Sequence, residues 1–267
     1  MTNQSHSKHT KQSLLANNDE FVSYMLEINN RLGLQGIKIS ARPMLAGGEV
    51  SKDLKCDISW NEELGKKIFA WFKEWYNDRL KNDLSIGKMV IKINQDPFLV
   101  KFPLVYGTGE VNPFNFIQDI TPNFLNSLSQ ENIEKIAKLI IRYYYIFVKF
   151  NEHNSAISYG DIDIAVSQIM NQNPNYGLSK WASLQLAEKA LKAYINNKGN
   201  NPPHSHNITN LVSMANTLDL PNILSTMIND IQCGAEVRYN EINVTLDEAI
   251  IAHHASLELC EIIVSNY

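Results

Sequence analysis

The chain has 267 residues, of which 44% are hydrophobic, and a formal net charge of −4. A chain of this length and apolar content can bury the core of one large domain or of two ordinary ones. It contains no run of the roughly 18 apolar residues that would span a bilayer, and its polar first residues lack the apolar segment of a signal peptide. We therefore expect a soluble, cytoplasmic protein without a membrane partner.

The three cysteines, Cys56, Cys233 and Cys260, are scattered along the chain. None of them belongs to a CxxC pair, so their spacing predicts neither a disulfide framework nor a zinc site. We expect no metal and no cofactor.

The small net charge hides a difference between the two parts of the chain. Residues 1–159 carry 19 basic and 17 acidic side chains, a net charge of +2, whereas residues 160–267 carry 5 basic and 11 acidic side chains, a net charge of −6. Non-specific binding of nucleic acid depends on basic side chains that neutralise phosphates. RNA is therefore not the favoured partner of the second part, unless its few basic side chains cluster in one cleft.

The sequence of the first half predicts a mixture of helices and strands. Residues 1–19 lack apolar periodicity, and we expect them to be mobile. Residues 21–34 predict a helix, and the alternation of apolar and polar side chains over residues 36–43 predicts a strand. The glycine pair at residues 46–48 predicts a turn rather than a phosphate-binding loop, because no GxxxxGK[ST] pattern is present.

A second amphipathic helix, of about five turns, is predicted from residue 61. Trp71 and Trp75 lie on its apolar stripe, which favours core positions for both over a role in stacking bases. Residues 88–93 and 98–106 are rich in β-forming side chains and flank turn residues, which predicts a hairpin. The first half should therefore contain at least three strands.

Residues 130–150 predict the strongest helix of the first half, with a wide apolar face. This helix contains Tyr143, Tyr144 and Tyr145 in sequence, beside Arg142 and Lys149. The tyrosine run has two interpretations, a ligand groove or a buried face with amphipathic rims. A helix this apolar favours the buried face.

The sequence of the second half predicts helices only. Short connections join them, as in an antiparallel helical bundle. Its longest helix is predicted from Ser179, as N-cap, to Gly199, with Trp181 on the apolar stripe and Glu188 and Lys192 as an exposed i,i+4 pair. Another helix should follow Pro221, and the last should begin at the N-cap Thr245.

The polar, Gly-containing segment at residues 151–160 predicts a domain boundary. The predicted organisation is a mobile N-terminus at residues 1–19, an α+β domain of unknown family at residues 20–155, and an all-α antiparallel bundle at residues 156–267.

An ordered set of motifs in this second part resembles the HEPN domains of prokaryotes. The set is Ala187-Glu-Lys-Ala-Leu-Lys-Ala193, then Lys198-Gly199, Pro202-Pro203 and His206, and finally Arg238-Tyr239 ahead of a Thr-Leu-Asp-Glu-Ala helix. The resemblance covers about residues 160–267 and implies a helical bundle that is commonly dimeric. It also implies a toxin–antitoxin or defence system, or a nucleotidyltransferase as protein partner.

Ribonucleases of the family use an Arg and a His that are separated by four to six residues. No Arg–His pair in this chain has that spacing, Lys198 stands where the family usually has Arg, and Asn207 follows His206 where the family has Asp. Lysine keeps the charge but lacks the bidentate fork of arginine. The resemblance therefore predicts a non-catalytic nucleotide- or partner-binding module, and the alternative is a metal-independent ribonuclease with an atypical site.

The candidate ligand-binding residues are Lys198, His204, His206, Arg238 and Tyr239. They would converge at one end of the bundle and hold an anionic ligand, helped by the N-terminus of the helix that follows His206. The alternative for the two histidines is a helix cap or a solvated rim, and for Arg238 and Tyr239 it is a loop anchor. His253 falls on a core stripe and predicts a buried, hydrogen-bonded histidine.

Overall fold

The computed structural model describes residues 9–37, 39–60, 62–77, 85–103, 111–153 and 156–267. By its internal packing the chain divides into two compact units, Met1–Leu84 and Ser85–Tyr267. Each unit has its own hydrophobic core. Within the described part, no helix is both long enough and apolar enough to cross a membrane.

The described residues of the first unit form helices. These are α1 (Lys11–Ala16), α2 (Asn18–Leu34), α3 (Arg42–Leu54) and α4 (Glu63–Tyr76), with a short 3-10 turn at Ile39–Ala41. The predicted helices at residues 21–34 and after residue 61 are confirmed, although α4 has only 14 residues. Trp71 is buried as expected, whereas Trp75 is 53% exposed and stacks on Trp71 with the ring centroids 5.1 Å apart.

The predicted strand at residues 36–43 is wrong for the described residues, of which 39–43 form the 3-10 turn and the start of α3; residue 38 lies outside the described part. Arg42 supplies the reason. Its guanidinium donates to the carbonyl oxygen of Ile37 and to Oδ1 of Asn29, each at 3.0 Å, which ties this segment back onto α2. The predicted glycine turn lies inside α3, where a Cβ on Gly47 would come within 2.7 Å of the Trp60 indole.

Residues 11–16 and 18–19 are helical where the sequence indicated a mobile segment. The hydroxyl of Thr10 accepts the backbone N–H of Ser13, and the hydroxyl of Ser13 accepts the backbone N–H of Thr10, both at 3.1 Å. Such a capping box satisfies two N–H groups at the start of a helix. Leu14 is fully buried in the core of the unit. The remaining residues of the predicted mobile segment, 1–8, lie outside the described part.

The second unit begins with the predicted hairpin, which is confirmed. Strands β1 (Ser85–Ile93) and β2 (Asp96–Pro103) pair antiparallel, with Met89 opposite Val100. These two strands form the only sheet in the described residues, fewer than the three strands expected. After the hairpin come a 3-10 turn at Pro113–Phe116 and the helices α5 (Pro122–Asn126) and α6 (Gln130–Glu152).

The tyrosine run on α6 has one buried, one half-buried and one exposed member. Tyr143 is fully buried, Tyr144 lies against the ring of Phe116, and Tyr145 is 62% exposed. This distribution is that of a buried face with an amphipathic rim.

The C-terminal region is helical, as predicted. It contains α7 (Tyr159–Met170), α8 (Tyr176–Asn197), α9 (Ile208–Asn216), α10 (Ser225–Ile231), a 3-10 turn at Ala235–Tyr239, and α11 (Leu246–Val264). Thr245 caps α11 through Glu248 as expected. The cap of α8 is Asn175 instead of Ser179, which is buried and donates its hydroxyl to the carbonyl oxygen of Ala165 at 2.8 Å. Helix α10 begins at Ser225, further from Pro221 than expected.

The hairpin and α6 share one continuous core with the C-terminal helices. The hydroxyl of Tyr143 donates to Oε1 of Glu258 at 3.0 Å, and Nε2 of His254 lies 2.8 Å from the carbonyl oxygen of Val90. The boundary expected at residues 151–160 therefore falls inside this packing unit. The division into domains at residues 20–155 and 156–267 stays a prediction.

His253 lies in α11 and is fully buried, as predicted. Neither of its ring nitrogens has a hydrogen-bond partner among the described groups, which differs from the hydrogen-bonded histidine we expected. Burial, followed by the neighbouring His254, lowers the pKa of His253 to about 3. The folded protein therefore holds this imidazole in its neutral form.

This buried histidine predicts a loss of stability in acid. An unfolded histidine has a pKa of about 6.5, so below that pH the unfolded chain binds a proton that the folded chain does not. As the pH falls from about 6.5 to about 3, His253 alone should lower the free energy of unfolding by up to about 1.4 kcal/mol for each pH unit. Above about pH 6.5 it should have no effect. Urea titrations followed by circular dichroism at pH 7.5, 6.5 and 5.5 measure the slope.

The matched variants are His253→Leu, which should reduce this slope to the part that His254 and other groups contribute, and His153→Gln, at an exposed histidine, which should leave it unchanged. An equally steep slope in His253→Leu and in the wild-type protein would contradict the prediction.

Candidate functional site

Helix α8 is the central element of the C-terminal region, because it packs on α7, α9, α10, α11 and the 3-10 turn at Ala235–Tyr239. Twelve of its 22 residues are buried. Four larger side chains form one stripe along this helix, because the spacing of i, i+4, i+7 and i+11 places them on the same face. They are Trp181, Gln185, Glu188 and Lys192.

Glu188 is the centre of this stripe, and its side chain is only 6% exposed. Its Oε1 accepts a hydrogen bond from Nζ of Lys192 at 2.7 Å, and its Oε2 accepts one from Nε2 of Gln185 at 3.2 Å. Oε2 also lies 2.7 Å from Nδ1 of His206. The predicted exposed Glu188–Lys192 pair is therefore correct as a pair, but wrong for Glu188, whose carboxylate is buried and held from three sides.

His206 lies on the loop between α8 and α9, and its side chain is 67% exposed. Gln232, at the end of α10, fastens this loop. Its Oε1 accepts the backbone N–H of Ile208 at 2.8 Å, and its Nε2 donates to the carbonyl oxygen of His206 at 3.4 Å. Asn207 caps α9 by accepting the backbone N–H of Asn210 at 3.1 Å, so the departure from Asp at this position keeps a good N-cap residue.

Arg238 lies on the 3-10 turn and places its guanidinium against two aromatic rings. The guanidinium carbon is 5.6 Å from the ring centroid of Trp181 and 4.9 Å from that of Tyr239. The His206 ring lies 5.9 Å from the same indole, centroid to centroid. Cation–π contacts of this kind hold a guanidinium in place without using its N–H donors.

We refer to Trp181, Glu188, His206, Arg238 and Tyr239 together as the α8 cluster. It joins three of the five residues predicted from the sequence, which are His206, Arg238 and Tyr239. Tyr239 is 63% exposed, so one part of the cluster is an open aromatic surface beside two nitrogen-rich side chains.

Lys198 and His204 lie outside the α8 cluster. Nζ of Lys198 donates to the carbonyl oxygen of Asn266 at 3.3 Å and lies over the ring of Tyr194. Lys198 follows Trp181 by 17 residues, or about 25 Å along a helix. His204 is exposed and makes no hydrogen bond, ion pair or ring contact with the described residues. The expected convergence of all five candidate residues is therefore not what the structure shows.

The sequence did not single out Trp181 and Glu188 as functional residues. Trp181 fitted an apolar stripe, and the glutamate fitted a surface ion pair. Glu188 could have been recognised as a buried residue by its position among small and apolar residues in Ala187-Glu-Lys-Ala-Leu-Lys-Ala193. A charged side chain that is buried needs partners within the protein.

The thiol of Cys233, next to Gln232, is not an additional reactive group. Burial raises its pKa to about 11, with a smaller opposing effect of Lys180. A cysteine that stays protonated near neutral pH is a poor nucleophile. The polar chemistry of the site therefore rests on carboxylate, imidazole, ammonium and guanidinium groups.

Fold and site together define a helical-bundle domain with an aromatic and cationic surface on its central helix. Residues 155–266 match the family model of the HEPN domain, so the C-terminal region of this chain is similar to HEPN domains. The match covers less than half of the chain, and the N-terminal part matches no family model. Neither the comparison with curated proteins nor the comparison with solved structures gives a match. The family match associates the region with nucleotide-related or ribonuclease-like modules.

Gly177, in the first turn of α8, lets the 3-10 turn come close enough to place Arg238 on Trp181. A Cβ at this position would overlap the carbonyl oxygen of Val237, the residue before Arg238. A backbone carbonyl cannot rotate away as a flexible side chain can. The cluster therefore depends on a glycine that makes no contact with a ligand.

We predict that Gly177→Ala lowers the free energy of unfolding by about 1–3 kcal/mol, the usual cost of overpacking. The control is Gly160→Ala in α7, where a Cβ would meet nothing within 4 Å. That change should be neutral or stabilising by about 0.5–1 kcal/mol. Thermal unfolding of both variants measures the difference, and equal melting temperatures would show that the 3-10 turn does not need Gly177.

Proposed function

We propose that the C-terminal region binds a nucleotide at the α8 cluster and does so without catalysing a reaction. The observation that carries the proposal is the guanidinium of Arg238, held against Trp181 and Tyr239 beside the Glu188-bound His206. An arginine fixed in this way offers its N–H fork to a phosphate. The exposed ring of Tyr239 offers a face on which a base can stack.

The charge of the region agrees with a small anionic ligand better than with a long nucleic acid. Residues 160–267 carry a net charge of −6 and only five basic side chains. Of these, Lys192 belongs to the stripe on α8, and Arg238 belongs to the α8 cluster. A few cations in one place are enough for one phosphate group, whereas a long RNA requires many phosphate contacts.

The non-catalytic part of the proposal rests on the sequence departures from the ribonucleases of the family. No Arg and His in the chain have the separation of four to six residues that those enzymes use. Arg238 and His206 meet at Trp181 from two different segments instead. The toxin–antitoxin, defence or nucleotidyltransferase setting, a protein partner and the homodimer stay predictions of the family resemblance.

Isothermal titration of the full chain with AMP and ATP tests the proposal. We expect saturable binding that Arg238→Ala weakens about 10–100-fold, since a hydrogen bond to a charged group contributes about 1.5–3 kcal/mol. Tyr239→Ala should weaken it about 5–100-fold, because base stacking is worth about 1–3 kcal/mol.

Two surface residues on α6 serve as matched controls for this titration. Arg142 has a half-exposed side chain, and Tyr145 is 62% exposed, almost as much as Tyr239. Arg142→Ala and Tyr145→Ala should leave the Kd unchanged. The absence of binding for both nucleotides, or an equal loss of affinity in the α6 controls, would refute the proposal.

A second candidate function is RNA cleavage, which the contact between Glu188 and His206 favours. A carboxylate that orients an imidazole is a common arrangement for a general base, and an adjacent arginine can stabilise the charge on a phosphate. His206 would accept a proton from a ribose hydroxyl through Nε2, while Arg238 would bind the phosphate.

Incubation of the protein with bulk tRNA and rRNA at stoichiometric enzyme separates the two candidates. If the protein is a ribonuclease, His206→Ala should reduce cleavage by about 10²–10⁴-fold, the usual contribution of a general base. We expect no cleavage that depends on His206. Cleavage by the wild-type protein that His206→Ala abolishes would replace the binding proposal with the enzymatic one.

A further inference from the structure

The imidazole of His206 is held at one nitrogen and open at the other. Nδ1 lies 2.7 Å from the buried Oε2 of Glu188, while the side chain as a whole is 67% exposed. A histidine on a mobile loop would sample many rotamers. Here the buried carboxylate of Glu188 holds the ring at Nδ1, and the side chain of Gln232 holds the backbone of the loop at His206 and Ile208.

The partner of Nδ1 decides which tautomer the neutral ring adopts. An ionised carboxylate only accepts hydrogen bonds, so Nδ1 must carry the hydrogen and donate it to Glu188. Nε2 is then an acceptor that faces solvent while the ring is neutral. If the ring takes up a proton, both nitrogens donate, and Nε2–H becomes a charged donor for an anion.

We propose that Glu188 is the positioning residue of the α8 cluster, which fixes His206 through Nδ1 so that an anionic ligand binds at Nε2 together with a proton. This inference rests on the proposed nucleotide site and adds its regulation by pH. A fully ionised phosphate has no hydrogen that it could donate to the neutral Nε2, which is itself an acceptor. Ligand binding and protonation of the ring therefore favour each other, as linkage requires.

Three other charged side chains belong to the surroundings of His206. Lys192 and Glu188 come from α8, and Arg238 comes from the 3-10 turn. Lysine and arginine ordinarily stay charged below pH 9. Cys233, at the end of α10, stays neutral because burial raises its pKa to about 11. Histidine is the side-chain type whose charge ordinarily changes between pH 5 and 8, and His206 is the histidine of the cluster.

Titration calorimetry of the full chain with AMP tests the inference between pH 7 and 8.5, where the phosphate of AMP is already a dianion because its second pKa is about 6. Measurements in HEPES and in Tris, which differ in ionisation enthalpy, give the number of protons taken up on binding. We expect uptake of up to one proton, and a Kd that weakens by up to about tenfold for each unit of rising pH.

Three variants assign this proton. His206→Gln should bind with no proton uptake and with a Kd that changes less than about twofold over this range. Glu188→Gln should weaken binding about 3–10-fold and reduce the uptake, with its fold checked by circular dichroism. His204→Gln changes an exposed histidine of the same loop that lies outside the cluster, and it should behave as the wild-type protein.

The outcomes distinguish the inference from the function on which it rests. If the wild-type protein binds neither AMP nor ATP at any pH, both are refuted. If it binds ATP but not AMP, the nucleotide site stands and the inference fails. If it binds AMP without proton uptake, or with the same uptake in His206→Gln, the inference fails while the nucleotide site stands. If Glu188→Gln keeps the wild-type Kd and uptake, Glu188 is not the positioning residue.

Discussion

Helix α8 is buried on most of its circumference, and this constraint decides how the C-terminal region is built. Small side chains such as Ser179, Ala182 and Ala190 let neighbouring helices approach it closely. A charged residue on such a helix must be satisfied within the protein, because burying an unpaired charge is costly. Glu188 meets this requirement through Gln185, Lys192 and His206. The same bonds that satisfy the carboxylate also fix the position of the histidine at the surface.

The packing around α8 brings distant segments of the chain to one place. The loop before α9 contributes His206, the end of α10 contributes Gln232, and the 3-10 turn contributes Arg238. Gly177 provides the space for that turn. The surface that results combines an arginine held between aromatic rings with an imidazole held by a carboxylate. Both groups are suited to a phosphate, and neither depends on a mobile loop for its orientation.

The hairpin and α6 extend this architecture beyond the region that matches the HEPN family model. They share a core with the C-terminal helices, through contacts such as those of Tyr143 with Glu258 and of His254 with Val90. The family match begins at residue 155, whereas the packing unit begins at Ser85. A family boundary marks where sequence similarity starts, and a packing boundary marks where apolar contacts become sparse. The two need not coincide.

The sequence by itself determined the features that depend on local pattern. The amphipathic stripes of α2, α4, α6 and α11, the hairpin around residues 94–97, and the motif set of the HEPN domain could all be read from neighbouring residues. The tertiary structure decided the features that depend on distant partners. Arg42 turned a strand-like alternation into a helical segment by bonding to Asn29, and packing around α8 buried Glu188 and separated Lys198 from Arg238. The physical reason is that hydrophobic periodicity reports which face of an element is buried, but not which residues from other elements come to lie beside it.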